Sequence, residues 1–191
     1  MVVDKALFRA AAGSFASGVT VITSGFEGSY HGITASAFTS LSLEPTQVLV
    51  CINRDTRALT VIKACGCFCV NILDSSQEAL SRVFASRDAP QRDGLEGIEF
   101  AVGNLGVPVL SAALAFFESR VVQEYDGGDH VIMVGEVERV GVAQEGEPLL
   151  YFRGGYRQLS RKGPVAAPQI DGLFSSGWRR EALTPWGGLP D

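Results

Sequence analysis

The chain has 191 residues, a length typical of one domain with a single hydrophobic core. Apolar residues make up 46% and charged residues 19%, which excludes a long disordered chain or a coiled coil and fits a globular protein. Acidic residues outnumber basic residues by 21 to 16, so the net charge of −5 offers no electrostatic basis for binding nucleic acid. The 22 glycines favour a turn-rich β protein.

The first half of the chain alternates between helical and extended patterns. Apolar residues spaced by three and four positions predict a first helix, with Asp4 as its N-cap. The predicted helices cover residues 5–15, 56–64 and 77–85. Runs of β-branched residues bounded by glycine or proline predict strands. The predicted strands cover residues 19–24, 29–35, 37–41, 48–52 and 67–73.

The second half is predicted to be mostly extended, with strands over residues 113–122, 131–142 and 149–152. A polar segment over residues 86–97 is expected to be a loop or a lid. The uncharged stretch 100–117 is long enough to suggest a membrane span, but its glycines and Pro108 divide it into short pieces, so we expect no membrane association. Because strands do not alternate regularly with helices, the pattern favours a closed or partly closed antiparallel barrel with short helices.

Three of the four cysteines lie within five residues, a spacing that frames no disulfide pair. On one strand, neighbouring thiols among Cys65, Cys67 and Cys69 would be about 6.7 Å apart. Tetrahedral zinc needs its sulfur ligands only about 3.8 Å apart, so no metal site is expected. We expect these thiols to pack in a core strand and, since no secretion signal opens the chain, we expect a cytoplasmic protein.

The composition changes at residue 163. Residues 163–191 are rich in proline and glycine and contain both tryptophans, Trp178 and Trp186. The sequence therefore predicts a domain over residues 1–162 and a C-terminal extension over 163–191. We expect the extension to pack against its own domain or a partner subunit; the alternative is simple disorder.

Several familiar catalytic motifs are absent from the sequence. It has no Gly-x-Gly-x-x-Gly turn after a strand and no Walker lysine, the usual cradles for dinucleotides and triphosphates. It also lacks the Gly-x-Ser-x-Gly elbow of hydrolases. The sequence has only two histidines, His31 and His130, which are few ligands for a histidine-rich metal centre. An enzyme of this kind would take its reactive group from a cofactor.

Four segments combine residue types that suit a flat, phosphorylated ligand. Residues 32–37 join small side chains to hydroxyls, so a ring can approach the backbone. In residues 51–57 a strand gives way to a helix, where free amides, a hydroxyl and arginine can bind phosphate. Residues 127–130 place a histidine at a strand entrance, and residues 151–156 supply aromatic rings and an arginine. Each segment alone also fits an ordinary structural role: sheet hydroxyls, a capped turn, a polar edge residue or core aromatics.

Taken in order, these segments resemble the flavin reductase family, the small reductase components of two-component flavin-dependent monooxygenases. The resemblance extends over about residues 6–160. The matching segments are residues 8–9, 18–23, 32–38, 48–53, 68–73, 128–130 and 151–156.

The resemblance implies a mainly β fold, an antiparallel split β-barrel of the FMN-binding type with a few short helices. It further implies a homodimer that binds FAD or FMN and reduces it with NAD(P)H, an activity of the EC 1.5.1 type. A hydride would pass from the nicotinamide to flavin N5, and the reduced flavin would serve a partner monooxygenase. NADH is favoured over NADPH because no basic cluster near His130 would hold a 2′-phosphate.

The resemblance also assigns residues to the two ligands. On the nucleotide side are His130, which is also the candidate catalytic residue, Arg153 and Tyr156. The candidate flavin-binding residues are Thr34, Ala35, Ser36, Ala37, Cys51, Asn53, Thr56, Arg57, Ala85 and Ser86. Family members often carry a second hydroxyl where this chain has Ala58, so phosphate binding is expected to be weaker or to depend more on Arg57. Two alternatives are a flavoprotein that keeps its flavin and acts on an organic substrate, and a non-enzymatic flavin- or haem-binding module.

Overall fold

The computed structural model describes residues 3–86 and 95–160 of the chain. Residues 87–94 of the predicted loop, and the extension with Trp178 and Trp186, lie outside the described residues. The helices are α1 (Lys5–Ala12), α2 (Arg57–Cys65) and α3 (Glu78–Ala85), with a short 3-10 helix (Ser75–Gln77) before α3. The strands are β1 (Ser17–Gly18), β2 (Thr20–Phe26), β3 (Ser29–Ala35), β4 (Phe38–Leu43), β5 (Thr46–Asn53), β6 (Cys67–Ile72), β7 (Phe100–Val102), β8 (Pro108–Leu110), β9 (Ala115–Gly127), β10 (His130–Val142), β11 (Leu150–Phe152) and β12 (Gly155–Arg157).

Seven of these strands form one antiparallel sheet in the order β3-β2-β6-β9-β10-β5-β4. Its two edge strands, β3 and β4, are consecutive in the chain and are joined only by Ser36 and Ala37. The two edges of the sheet therefore meet at this connection, which confirms the predicted mainly antiparallel β barrel with few helices. A three-stranded sheet (β1-β11-β12) and the pair β7-β8 complete the strands of the described part.

The main core lies between the barrel strands and α2. On β5, Val48, Val50 and Ile52 are buried, whereas the alternate residues are only half-buried, as the two-residue period of a strand dictates. From α2, Leu59 and Ile62 pack into the same cluster. Burial of this apolar surface is the principal force that stabilises the barrel.

The predicted helix over residues 5–15 is shorter in the structure. Asp4 is its N-cap and accepts the Leu7 N–H at 2.8 Å, as expected, but the helix ends at Ala12. The carbonyl of Gly13 accepts the Arg153 N–H at 2.8 Å, which commits this backbone to a tertiary contact in place of a further helical turn. None of the residues of α1 is buried in the described part of the chain.

The cysteine arrangement differs from the expectation. Cys65 is the last residue of α2 and only Cys67 and Cys69 are on β6, so the three thiols do not share one strand face. Cys67 and Cys69 are buried, as expected, while Cys65 and Cys51 are half-buried, and none of the four forms a disulfide. In residues 3–86 and 95–160, no helix is long and apolar enough to cross a membrane.

Candidate functional site

The connection between β3 and β4 is a corner of small residues. Thr34 and Ala35 end β3 half-buried, and Ser36 and Ala37 are exposed. The Thr34 hydroxyl donates to the Ser81 carbonyl of α3 at 2.7 Å. Because the Thr34 side chain is anchored to the helix, the backbone of the corner has a fixed position relative to α3.

Two further hydrogen bonds hold the corner within the barrel. The Thr20 hydroxyl of β2 donates to the Ala35 carbonyl at 2.7 Å. The Cys51 N–H of β5 donates to the Ala37 carbonyl at 3.0 Å. Cys51, one of the predicted flavin-binding residues, therefore supports the corner through its backbone, and its half-buried side chain points away from the main core.

Asn53 and Thr56 connect the end of β5 to the start of α2. The Thr56 hydroxyl donates to the Asn53 carbonyl at 2.8 Å and, as the N-cap, accepts the Leu59 N–H at 3.4 Å. The Asn53 side-chain oxygen accepts the Asp55 N–H at 2.9 Å. Arg57 is the first, exposed residue of α2, so a positive side chain and the positive end of the helix dipole lie at the same place.

His130 lies beside Asn53. The two residues are directly opposite each other in the β5–β10 pair, and both are half-buried on the side of the sheet away from the main core. His130 Nδ1 is 2.7 Å from Asp129 Oδ1. This bond to the histidine, with a smaller contribution from the charge of Lys5, holds the pKa of Asp129 below its ordinary value. The carboxylate thus orients the imidazole.

Arg54 fixes the turn that precedes His130. Its Nε donates to the Gly128 carbonyl at 2.7 Å and its guanidinium pairs with Asp126 at 2.8 Å. The Gly128 N–H and Arg54 together lower the pKa of Asp126. The charge of Arg54 is therefore already engaged within the turn.

A cavity of about 300 Å³ opens between the end of α3 and the β11–β12 hairpin. The Tyr156 hydroxyl lies 2.8 Å from Ser81 Oγ, and the Arg82 guanidinium lies 4.8 Å from the centre of the Tyr156 ring. The lining residues are Arg82, Ala85, Ser86, Tyr151, Gly154, Gly155 and Tyr156. Three of the predicted ligand-binding residues, Ala85, Ser86 and Tyr156, therefore border one cavity.

Arg153 occupies the tight turn between β11 and β12, in a left-handed conformation with φ of 48°. Its guanidinium lies 5.2 Å from the centre of the Phe152 ring, and its N–H binds the Gly13 carbonyl just after α1. The other end of α1 carries Lys5, whose charge acts on Asp129.

The structure brings the predicted residues together in two groups. Asn53, Thr56 and His130 form one group at the end of β5, and Thr34, Tyr156 and the end of α3 form the other. The corner at residues 36–37 connects them through the Ala37–Cys51 bond. Within residues 3–86 and 95–160, no hydrogen bond or ring contact joins His130 to Arg153 or Tyr156, although all three were predicted to serve one ligand.

Sequence reasoning missed Ser81 and Arg82. Ser81 is fully buried; its carbonyl accepts the Thr34 hydroxyl and its own hydroxyl lies 2.8 Å from the Tyr156 hydroxyl, so it links β3 to β12 through α3. One signal was present: Ser81 has the helical spacing that places it on the buried side of α3 with Phe84. A buried hydroxyl requires a hydrogen-bond partner.

The residues at the corner fit a flat ring with a phosphate-bearing chain. The exposed corner has only small side chains, and the capped, positively charged start of α2 suits an anion. Among the described residues, no group of three or more His, Cys, Asp or Glu is placed to hold a metal ion. Ser29 Oγ lies 3.2 Å from His31 Nε2. The arrangement suits binding and orienting a flat, phosphorylated ligand.

Comparisons with known proteins point the same way. The family described as the flavin reductase like domain matches residues 12–160 of this chain. The reductase subunit HsaB of a flavin-dependent monooxygenase from Rhodococcus jostii is 36% identical over 171 residues, covering 90% of this chain and 86% of that protein. The reductase component of 4-hydroxyphenylacetate 3-monooxygenase from Thermus thermophilus is 41% identical, covering 81% of this chain and 97% of its own length.

A solved structure gives the same result for the fold. The NADH:FAD oxidoreductase SgcE6 of Streptomyces globisporus, in complex with NAD and FAD fragments, superimposes with a TM-score of 0.79 at 32% identity. The similarity covers 86% of this chain and 99% of that one. Most of this chain therefore has a structural counterpart in that protein.

Proposed function

Since the chain belongs to the flavin reductase like domain family, we propose that it is an NADH-dependent flavin reductase that supplies reduced flavin to a separate monooxygenase. Bound flavin supplies the redox chemistry, because its N5 accepts a hydride from the nicotinamide. The chain then has no need of its own nucleophile or metal. Its work is to hold two flat rings at a reacting distance of about 3–3.5 Å.

In this proposal the corner binds the flavin. Thr34, Ala35, Ser36 and Ala37 lie along the ring and the ribityl chain, with Cys51 behind them. The observation that carries the proposal is that this corner combines small exposed side chains with a backbone held by three hydrogen bonds. Backbone N–H groups held in this way can stabilise negative charge on a bound ring without reorganising.

The phosphate end of the flavin is proposed to lie at the start of α2. Asn53 and Thr56 border it, and Arg57 supplies a positive charge. Ala58, the position where relatives often carry a second hydroxyl, is buried on the core side of α2. The proposed phosphate site therefore depends on Thr56, Arg57 and the helix end. Moderate affinity is sufficient there, because the reduced flavin must dissociate to reach the monooxygenase.

The nicotinamide nucleotide is proposed to bind between the His130 turn and the β11–β12 hairpin. His130, oriented by Asp129, donates to the nucleotide, while Arg153 and Tyr156 contact it from the hairpin. Arg54, the arginine that fixes the His130 turn, is already paired with Asp126, which supports NADH over NADPH. Ala85 and Ser86 border the cavity next to the flavin.

Four thiols without a disulfide support a cytoplasmic location, where NADH is also available. The proposal includes a homodimer, since large apolar side chains such as Leu7 and Phe8 are about two-thirds exposed. The proposed reaction is of the EC 1.5.1 type.

The test is a steady-state assay of NADH oxidation that crosses FAD and FMN with NADH and NADPH. We expect flavin-dependent oxidation of NADH well above the rate without protein, and slower oxidation of NADPH. Consumption of neither nucleotide would contradict the proposal and favour a non-enzymatic binding module. A stoichiometric flavin that stays bound through purification would instead favour a flavoprotein acting directly on an organic substrate.

A His130→Ala variant tests the assignment of the nucleotide side. We expect the KM for NADH to rise several-fold, with flavin affinity little changed. Asp55→Ala, which alters a neighbouring exposed residue of the β5–α2 turn, is the control. A larger loss of flavin affinity than of NADH affinity would place His130 on the flavin instead.

A further inference from the structure

Arg54 joins two turns that belong to different parts of the proposed site. It lies in the β5–α2 turn, directly after Asn53, and it is exposed. Its backbone N–H donates to the Asp129 carbonyl of the β9–β10 turn at 3.0 Å. Its side chain reaches the same region twice, from Nε to the Gly128 carbonyl at 2.7 Å and from the guanidinium to Asp126 at 2.8 Å. One residue of the first turn therefore bonds to three residues at the second.

The Asp126 carboxylate completes this arrangement from the side of β9. The oxygen that accepts Arg54 also accepts the Gly128 N–H at 2.9 Å. Gly128 has a φ of 76°, a conformation that glycine adopts without strain, so the turn has its shape from its own sequence. The planar guanidinium fork can bind a carboxylate and a carbonyl at the same time. Arg54 therefore fixes where the β9–β10 turn lies relative to the β5–α2 turn.

Each turn carries residues of a different proposed ligand site. Asn53 and Thr56, on the first turn, border the proposed flavin phosphate site. On the second turn, Asp129 lies 2.7 Å from the His130 ring and orients it toward the nucleotide. Asn53 and His130 are also opposite each other where the β5–β10 pair ends. A shift of one turn relative to the other would therefore change the distance between the two sites.

The bonds of Arg54 act on local order more than on the stability of the barrel. The side chains of Arg54 and Asp126 are 41% and 82% exposed, and exposed ion pairs contribute little to folding because water screens them. Residues 127–129 are exposed as well. Exposed turns with few buried contacts open at a low free-energy cost, so a small number of hydrogen bonds decides how well they are ordered.

We propose that Arg54 is a positioning residue through which the flavin phosphate and the nicotinamide nucleotide strengthen each other's binding. This inference rests on the proposed function, from which it takes the two ligand sites. A phosphate bound at the first turn restricts that turn, and Arg54 passes the restriction on to the second. The nucleotide then binds to a turn that has already lost its conformational freedom. Linkage requires the nucleotide to strengthen flavin binding by the same factor.

The experiment measures binding to the full chain with oxidised ligands, so that no reaction takes place. The Kd of NAD⁺ is determined alone, with saturating FMN, and with saturating riboflavin, which has the same ring system without the phosphate. Contacts between stacked rings act equally with both flavins, so the difference between them isolates the phosphate. We expect FMN to lower the Kd of NAD⁺ about fivefold more than riboflavin does. In the reciprocal titration, NAD⁺ should lower the Kd of FMN by the same factor as FMN lowers that of NAD⁺.

Three variants assign this extra effect of the phosphate. In Arg54→Ala it should disappear, so that FMN and riboflavin act alike on NAD⁺. Arg54→Lys keeps the positive charge without the planar fork and should retain only part of it. Lys63→Ala is the matched control, because it removes an exposed ion pair of 2.7 Å to Glu124 that joins α2 to β9 rather than the two turns. This control should retain the full effect.

Amide hydrogen exchange gives a second measurement that needs no nucleotide. FMN alone should slow exchange over residues 126–130 in the unaltered protein and in Lys63→Ala, but not in Arg54→Ala. The urea midpoint of Arg54→Ala should stay close to that of the unaltered protein, which distinguishes loss of local order from a folding defect. A large fall of this midpoint would show that Arg54 supports the fold and would overturn the proposal.

Three binding results would also overturn the proposal. They are equal effects of FMN and riboflavin in the unaltered protein, an extra FMN effect that persists in Arg54→Ala, and full retention of that effect in Arg54→Lys. Protection of residues 126–130 by FMN in Arg54→Ala would show that the flavin reaches the second turn directly, with the same consequence. If FMN and NAD⁺ bind without this coupling, only the present inference fails. If either ligand fails to bind, the proposed function fails with it.

Discussion

At the scale of single residues, uncharged hydrogen bonds hold the candidate site in shape. The Thr34 hydroxyl donates to the Ser81 carbonyl, and the Ser81 hydroxyl meets the Tyr156 hydroxyl at 2.8 Å. The corner at residues 34–37, helix α3 and strand β12 are thus joined through one buried serine, Ser81. Uncharged partners of this kind impose geometry without adding a charge that would compete with the ligand's own.

We expect Ser81→Ala to weaken NADH binding by displacing Tyr156. Loss of one such hydrogen bond costs about 1 kcal/mol, so the KM for NADH should rise by about fivefold. Tyr156→Phe removes the same bond from the other side, and the double variant should lose little more than either single variant. The measurement is steady-state kinetics at saturating flavin, with kcat and KM determined separately.

The control for this cycle is Tyr151→Phe. Tyr151 packs edge-on against the Tyr156 ring, with ring centres 5.4 Å apart, and borders the same cavity. This contact is made by the Tyr151 ring, which phenylalanine retains. The Tyr151→Phe variant should leave the KM for NADH nearly unchanged. Additive effects of Ser81→Ala and Tyr156→Phe would show that the two residues act independently and would contradict the link.

Gly32 is a second residue on which the corner depends. A Cβ at this position would lie 2.6 Å from the Phe84 ring of α3, too close for the strand and the helix to keep their places. We expect Gly32→Ala to destabilise the protein by about 1–3 kcal/mol, measured by urea unfolding. Gly18→Ala, where a Cβ meets nothing within 4 Å, is the matched control and should have a much smaller effect.

The double variant Gly32→Ala with Phe84→Leu separates crowding from backbone effects. Since leucine is smaller than phenylalanine, it should recover part of the lost stability. If the destabilisation of the double variant equalled the sum of the two single effects, the contact between residue 32 and the Phe84 ring would not be the cause of the Gly32→Ala effect.

At the scale of elements, the same type of cap has different importance in α1 and α2. Thr56 caps a helix that buries Ala58, Leu59 and Ile62, whereas Asp4 caps a helix that buries none of its residues. We expect Thr56→Ala to lower the global free energy of unfolding by about 1 kcal/mol. Asp4→Ala should fray α1 while hardly changing the urea midpoint.

The measurement combines urea unfolding with amide hydrogen exchange, which reports local fraying separately. Thr56→Ser, which retains the hydroxyl, should keep most of the stability and of the affinity for FMN. An equal loss from both alanine variants would mean that α1 is as firmly packed as α2.

Local patterns predicted most elements because their burial is regular. The residues 29–35 predicted as a strand are those of β3, and Thr56 and Gly66 delimit α2 as the capping pattern indicates. The hairpin β9–β10 is longer than predicted, with 13 residues in each strand, because its polar outer end has no apolar alternation to read. Backbone pairing between the two strands extends the hairpin beyond the apolar segment. Sequence periodicity does not report such pairing.

The candidate site was predictable where residues adjacent in sequence form it. The corner at residues 34–37 and the start of α2 are local, so small residues and a cap reveal them. Ser81 acts through partners 47 and 75 positions away, Thr34 and Tyr156, and such pairs exist only after the barrel has formed. Cys65 was misplaced for a similar reason, since the left-handed Gly66 ends a helix where the cysteine spacing suggests a strand.

At the scale of the whole molecule, α1 presents a large apolar surface. Leu7 and Phe8 are 66% and 65% exposed, and Phe15, just beyond the helix, is 81% exposed. Side chains of this size seldom stay in water together unless they meet a partner. In the proposed homodimer, a second copy of the chain would cover this surface.

We expect the protein to be a dimer by light scattering, and Phe8→Glu to shift it toward the monomer. A charge placed at the centre of an apolar contact loses its hydration on association, which weakens the dimer. Lys5→Glu, a charge change on the same helix that removes no apolar surface, should leave the mass unchanged. A Phe8→Glu dimer with a raised KM for NADH would show that α1 faces the nucleotide instead.

The strand order also governs how the chain can reach this shape. β5 pairs with β10 and β6 pairs with β9, so the barrel closes only after segments more than 40 positions apart have met. Chains dominated by such distant pairings fold slowly, in milliseconds to seconds, because the entropy of long loops is lost before contacts compensate. We therefore expect the β9–β10 hairpin, whose strands are separated by a two-residue turn, to form first. A newly synthesised polypeptide would keep β5 and β6 without one final neighbour each until that ribbon emerges.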